Sequence, residues 1–560
     1  MLAVIKSYGL VGLSGYKIDV EVDISQGLPK FDIVGLPDTA VKESKERVRA
    51  AVKNSGFKFP GKITINLAPA NQKKEGPAFD LPIAISILCA SEQLNVVDKD
   101  KYVVVGELGL DGMIKPVSGL LPILISAREA GYTSFIIPKQ NEKEASYIDG
   151  INVFAFDKLK EVTDFLSGEL KVFPVEKKIW KSEQCISGED FARVKGQGIA
   201  KRAIEIAVAG GHNILMVGPP GSGKTMLAHC VPSILPDLTF EEALEITKIH
   251  SVAGVLDLKK GVVSSRPFRS PHHTATTVAL TGGGKDVKPG EISLAHNGVL
   301  FLDEMPEYTR ESLEVLRQPL EDGKIMVSRA SGSVEYPANF ILVASMNPCP
   351  CGNYGSKELT CTCSPSNIQR YMKKISGPLL DRIDLKIDVD RVAYVDLTSD
   401  ELEESSEEVK KRVDKARKIQ LERYSGESIY SNAKMTSKHI KKYCKLDDAT
   451  TMLLENAFEK YHMSARGYNR LLKVARTIAD LDGKENIEFT HVAEAIAYRN
   501  VEKVMLWLRI KKSWFWFWVM LKFHIKCQGF WLKILIVKKL FKIFRFLKMS
   551  WLKSLEMLFI

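Results

Sequence analysis

The hydrophobic pattern divides the chain before any motif is read. Over residues 1–170, short apolar runs such as Ile63-Thr64-Ile65-Asn66-Leu67 and Val103-Val104-Val105 alternate with longer stretches of helical spacing, "FDLPIAISILCA" and "LLPILISAREAG" among them. Alternation with period two reads as strand and recurrence every three to four residues as helix, so this part predicts an α/β domain. Periodicity is lost over 171–190, "KVFPVEKKIWKSEQCISGED", which reads as a linker. From 191 to 393 uniformly apolar runs alternate with helical patterns, as expected of strands buried in a parallel sheet. Residues 394–500 are almost wholly helical and charged, as in "SDELEESSEEVKKRVDKARKIQLERY".

The last sixty residues break the pattern. They hold six of the seven tryptophans, 13 basic residues and only 2 acidic ones. The whole chain carries a formal charge of +11, and this tail accounts for all of it. The first 500 residues are balanced, so global charge gives no argument for nucleic-acid binding and any basic surface must be local. A membrane span needs about 20 predominantly apolar residues; the longest charge-free run here, Ser513 to Leu521, has 9. The stretch 501–560 is therefore expected to be non-native or unstructured, with a basic interfacial helix as the alternative, and no membrane partner is expected. At 560 residues the chain is long enough for three or four domains. The N-terminus "MLAVIKSYGL" lacks a signal-peptide pattern, so the chain reads as cytoplasmic, and clustered cysteines point to metal or redox chemistry before disulfides.

Candidate chemistry begins at "ILMVGPPGSGKTMLAHC". An apolar strand, Ile214–Val217, runs into Gly218, Pro219, Pro220, Gly221, Ser222, Gly223, Lys224 and Thr225, and a helix follows. This is the phosphate-binding pattern G-x-x-x-x-G-K-[ST] between a strand and a helix. Its backbone N–H groups face phosphate oxygens, Lys224 neutralises charge, and Thr225 offers a hydroxyl to Mg²⁺. In "NGVLFLDEMPE" a buried strand ends in Asp303, suited to holding the metal, and Glu304, suited to polarising the attacking water. A third strand, "NFILVASMN", ends at Asn347, which either orients that water or simply opens the turn before Pro348. Arg382 in "SGPLLDRIDLKIDV" either serves a neighbouring subunit's γ-phosphate or pairs with Asp381 or Asp384. Arg466, Arg470 and Arg476 lie on the polar flanks of the helix in "SARGYNRLLKVARTIADLDG", where one of them is expected to reach the nucleotide and the other two to be ordinary solvated side chains.

In this order the motifs resemble an AAA+ P-loop core with a helical lid. More narrowly, "RPFRSPHHT", "GGGKDVKPGEISLAHNGVLFLDEMPE", "LRQPLEDGKIMVSRASGSVEYPANF" and "MNPCPCG" resemble the ComM/YifB family of magnesium-chelatase-like AAA+ ATPases. The resemblance covers residues 1–500. It implies Asn347 as first sensor, Arg382 as trans-acting arginine finger and Arg466 as second sensor. It also implies a homo-hexameric ring using ATP and Mg²⁺ as a DNA helicase that promotes branch migration during natural transformation. A protein-remodelling ATPase of the magnesium-chelatase type is the alternative.

"DGKIMVSRASGSVEYPAN" reads as a β-hairpin about a Ser331-Gly332 turn, whose Lys324 and Arg329 are candidates to grip a single strand's phosphates. Arg266, Arg269, His272 and His273, followed by Gly282–Gly284, form a second candidate loop. The first domain resembles the proteolytic domain of Lon, through "KKEGPAFDLPIAIS" and "VGELGLDGMIKPVSGLLPILISAREAG". There the serine position falls on Ala78 and the lysine position on Leu121, so no nucleophile or base is present and no peptidase is expected. Finally, Cys349, Cys351, Cys361 and Cys363 lie within fifteen residues, a set suited to tetrahedral Zn²⁺ or else a group of idle thiols.

Overall fold

The computed structural model describes residues 2–499 apart from 97, 184–188, 285–286, 330–331, 357–358, 393–402 and 428. The expectations for 501–560, and for the beginning of the helical region at 394–402, lie outside the described residues.

The first sheet has seven strands: β1 (Leu2–Val11), β2 (Ser14–Ser25), β3 (Lys30–Val34), β4 (Lys62–Ala68), β5 (Tyr102–Val104), β6 (Ser134–Pro138) and β7 (Asn152–Phe156). Their order is β3-β4-β2-β1-β5-β6-β7, with β2 antiparallel to both neighbours and the other pairs parallel. Both faces are covered, and the run Val103-Val104-Val105 feeds both. Val104 joins the core that includes helices α1 (Thr39–Asn54) and α2 (Asp80–Ala90). Val103 and Val105 join the core built on α3 (Leu120–Glu129). This is the side-to-side alternation of a pleated strand with a core on either side. Ala78 packs against the same apolar cluster that holds the fully buried Leu121.

The expected linker carries no helix or strand among its described residues, yet it is stitched to the elements around it. Val175 N–H donates to Val153 O and Glu183 N–H to Ser264 O, while the Trp180 ring packs against Phe240 with centroids 5.8 Å apart.

The second sheet is fully parallel. Its strands are β8 (Ile214–Val217), β9 (Phe268–Arg269), β10 (Val299–Leu302), β13 (Ile341–Met346) and β14 (Leu385–Asp388), in the order β9-β10-β13-β8-β14. Between β10 and β13 a separate hairpin is formed by β11 (Lys324–Arg329) and β12 (Gly332–Pro337). Helices α4 (Gly198–Gly210) and α5 (Lys224–Ile234) share one core with β8, β13, β14 and the later helices. Those later helices include α6 (Ser406–Arg423), α7 (Ala465–Leu481) and α8 (Phe489–Ala497), and no strand follows β14 among the described residues. A mixed α/β chain containing a parallel sheet is thus present, as the apolar runs imply.

Candidate active site

The site lies where parallel strands end together. Val217 pairs with Met346 on one side and Asp388 on the other, and Leu302 pairs with Ala344. The residues that follow β8, β13 and β10, namely Gly218, Asn347 and Asp303, therefore emerge at one edge, where ligands bind in open parallel sheets.

The P-loop is fixed by close packing. A Cβ on Gly218 would lie 2.1 Å from the carbonyl oxygen of Val389, so no other residue fits there. Gly223 caps α5 at φ 87°, a left-handed conformation that glycine adopts without strain. Across Pro219, Pro220, Gly221 and the buried Ser222 the chain curls around the Lys224 ammonium. Lys224 Nζ donates to the carbonyls of Gly218 at 2.9 Å and Pro219 at 2.8 Å, and lies 3.4 Å from Ser222 Oγ and 3.3 Å from Asn347 Oδ1. All four bonded partners are neutral oxygens. Burial pushes this ammonium below its ordinary pKa, against the pull of Asp303 and Glu304. A cation so placed gains most from a polyanionic ligand.

Thr225 Oγ1 donates to Asp303 Oδ2 at 2.8 Å. The other carboxylate oxygen accepts from Ser345 Oγ and, at 3.0 Å, from the Glu304 N–H. A hydroxyl and an oriented carboxylate meeting at a helix N-terminus form a donor set suited to Mg²⁺, and the loop with Lys224 suits phosphate oxygens. When bound, nucleotide and metal supply the phosphoryl group and the neutralising charge its transfer needs. Glu304 is exposed and sits at φ 48°, ψ 48°. That left-handed turn costs a non-glycine residue about 1–3 kcal/mol and sets the exposed carboxylate apart from the strand. Ser345 was not a candidate from the sequence. Its signal was its spacing: two residues before Asn347, it shares that residue's face of the strand.

Arg382 and Arg466 belong to a different cluster. Arg382 donates to Arg317 O at 3.1 Å and Pro378 O at 2.7 Å, and pairs with Glu321. Arg466 pairs with the other oxygen of the same carboxylate at 2.9 Å. Glu321 therefore holds both guanidiniums, and the hydrogen bonds of Arg466 do not reach the P-loop of its own chain. Neither expected partner, Asp381 nor Asp384, holds Arg382. Asp384 instead pairs with Arg470 at 2.7 Å, and Arg470 also donates to Arg382 O at 2.7 Å. Burial alone would raise the Asp384 carboxyl; Arg470 and His212 pull it well below the usual range. Arg382 is pushed down by burial and by the charges of Arg317, Arg466 and Arg470. A surface cavity of about 390 Å³ opens beside Arg382, Arg317 and Glu321. Arg476 is not solvated: it is 1% exposed and bonded to Asp480, Lys484 O and Glu485 O.

In the hairpin, pairing runs from Lys324 opposite Pro337 to Arg329 opposite Gly332, so Gly332 belongs to the return strand and not to the turn. Lys324 is paired across the hairpin with Glu335 at 3.0 Å. The Arg329 side chain lies outside the described residues. The second candidate loop is chiefly structural. Arg266 spans Glu242 and the carbonyls of Pro236, Asp237 and Asn297, and Arg269 forms a forked pair with Glu291. The His272 and His273 rings are tilted 35° to each other with centroids 4.0 Å apart, and His272 bonds to Thr274. The four cysteine sulfurs near Asn347 gather within 4.8 Å of one another. Among the described residues no helix is long and apolar enough to cross a membrane.

Strand ends, P-loop and acidic pair define a P-loop ATPase, and family comparison places it among magnesium-chelatase-like AAA+ proteins. Residues 190–397 match the family described as magnesium chelatase, subunit ChlI; residues 20–141 match subunit ChlI of Mg-chelatase; residues 403–499 match the subunit ChlI C-terminal region. The chain is 44% identical over 510 residues to competence protein ComM of Haemophilus influenzae, covering 90% of this chain and 98% of that protein. It is likewise 44% identical over 513 residues to YifB of Escherichia coli, covering 91% and 99%. The 38 kDa magnesium-chelatase subunit of Cereibacter sphaeroides is more distant, 27% identical over 177 residues, 28% of this chain and 52% of that one. The chain belongs to the ComM/YifB family of magnesium-chelatase-like AAA+ ATPases.

Proposed function

We propose that the chain is an ATP-hydrolysing homo-hexameric motor that acts on DNA, a helicase that promotes branch migration when incoming DNA recombines during natural transformation. The observation that carries this reading is near-full-length similarity to a competence protein, supported by a P-loop hydroxyl bonded to the first residue of an acidic pair at a neighbouring strand end. Lys224, Thr225 and Asp303 hold MgATP; Glu304 polarises the attacking water and Asn347 orients it. Arg382, with Arg466 beside it, serves the nucleotide of the adjacent subunit across the cavity at Glu321. Such a guanidinium contributes roughly 10³–10⁵ in rate. The first domain acts as a non-peptidase module for assembly or DNA contact, since Ala78 and Leu121 supply neither nucleophile nor base. The protein works in the cytoplasm.

The test is the ATPase rate with and without single-stranded DNA. Stimulation by DNA is expected. Hydrolysis that DNA leaves unchanged would favour the remodelling ATPase, a reading that the magnesium-chelatase family matches along the chain also support.

A further inference from the structure

We infer that Cys349, Cys351, Cys361 and Cys363 form a Zn²⁺ site that works as a clasp on the nucleotide site, so that nucleotide affinity depends on the metal. The sulfurs of Cys349 and Cys351 lie 3.3 Å apart, those of Cys351 and Cys361 3.5 Å, and those of Cys349 and Cys361 3.7 Å. All four lie within 4.8 Å of one another. A disulfide requires about 2.05 Å, so these contacts are not bonds in distorted form. Four sulfurs about 2.3 Å from one tetrahedral ion stand roughly 3.8 Å apart, close to the spacing found here. Backbone N–H groups already face the sulfurs: Tyr354 N–H donates to Cys349 Sγ at 3.3 Å and Cys351 N–H to Cys363 Sγ at 3.4 Å. An all-sulfur tetrahedral set selects a soft divalent ion, whose binding releases the thiol protons.

What the ion would hold is read from the loop's contacts. Cys349 is fully buried and follows Asn347 by two residues, so the first ligand anchors the end of β13. Gly352, at φ 79°, lies so close to the P-loop that a Cβ would meet Pro220 Cδ at 2.3 Å. At the far end, Cys363 is followed at once by Ser364, which caps the helix Pro365–Met372 by accepting from the Asn367 N–H. One ion thus ties the Asn347 strand end, the backbone against Pro220 and the next helix start into one unit. This loop backs both Asn347 and Pro220, and loosening it frees both.

The experiment uses the full chain. Elemental analysis of the purified protein should find about one Zn²⁺ per chain, and exchange for Co²⁺ should give thiolate-to-metal charge transfer with tetrahedral d–d bands. Chelation should weaken binding of a fluorescent ATP analogue by about tenfold, and added Zn²⁺ should restore it. The double variant Cys361→Ser/Cys363→Ser should lose both metal and affinity while keeping its far-ultraviolet circular dichroism. If that variant fails to fold, chelation and restoration of the natural chain decide. Substoichiometric metal, bound iron, or disulfides in the freshly isolated protein overturn the assignment. Zinc that is removed and returned with no change in nucleotide affinity overturns the clasp. The second half rests on the nucleotide-site reading; the metal content is measured without nucleotide, so the two failures are distinguishable.

Discussion

At the scale of single residues, the site separates groups that bind from a group that reacts. The binding lattice has two parts, Lys224 bonded to the P-loop carbonyls and Asn347, and Thr225 bonded to Asp303, while Glu304 stands exposed on a left-handed backbone. Glu304→Gln keeps size and position but removes the base. It is expected to lower kcat by about 10²–10⁴ while leaving nucleotide affinity near that of the natural chain; equal losses in both would mean the residue is part of the binding lattice. Asp384 makes a separate claim about stability. Its carboxyl is held below the ordinary value of 3.8 by Arg470 and His212, against the effect of burial. The stabilisation is therefore present above pH 3.8 and is lost only as pH falls through the lower folded value. Asp384→Asn breaks a buried pair and should cost about 3–5 kcal/mol at neutral pH. The gap in thermal unfolding between variant and natural chain should close in strong acid; a gap that widens there would refute the assignment.

At the scale of elements, the hairpin of β11 and β12 carries its own prediction. Lys324 is neutralised by Glu335, an exposed pair worth little to folding, about 0–1 kcal/mol. If the hairpin contacts DNA phosphates, Glu335→Gln frees that charge. Affinity for single-stranded DNA should rise, and the dependence of log K on log salt should steepen by about one. Lys324→Ala should do the reverse, and salt slopes that neither change moves would remove the hairpin from the DNA surface. The elements also show what is legible in the linear sequence. The parallel sheet and the P-loop were readable because each is written locally: four apolar residues, a glycine-rich loop, a helix. Asp303 was readable for the same reason, from a strand ending in paired acids. Glu321 was not, because its role comes from two guanidiniums 61 and 145 residues away. Arg476 misled in the other direction. Its position on the helix flank suggested solvent, but Asp480 and two carbonyls beyond the helix end bury it. Arg266 resembles a basic loop residue and is a strut for the same kind of reason. Partners supplied by tertiary contact leave no periodic trace.

At the scale of the whole molecule, the match to the subunit ChlI C-terminal region stops at residue 499 and the charge excess begins just after it. Removal of 501–560 should therefore leave the ATPase rate intact; loss of hydrolysis in the truncated chain would give the tail a part in the enzyme. The arrangement of the two cationic centres makes the stronger demand. Within one chain the Lys224 ammonium is bonded to P-loop carbonyls and Asn347, while Arg382 is bonded to Glu321, Arg317 and Pro378. The two cations are held by different partners, as the proposed seam requires if one subunit's guanidinium serves its neighbour's nucleotide in a head-to-tail ring. Lys224→Ala and Arg382→Ala should each abolish turnover alone. When the two proteins are mixed in equal amounts, a seam can combine the intact P-loop of one with the intact guanidinium of the other. Random assembly forms such a seam about one time in four, so activity should return to at most roughly a quarter of the natural rate. Recovery should follow the concentration at which rings assemble, measured by light scattering on the same samples. If the mixture stays inactive while rings form, Arg382 acts within its own chain or not at all. The cavity beside Glu321 would then need another occupant than a neighbour's phosphate.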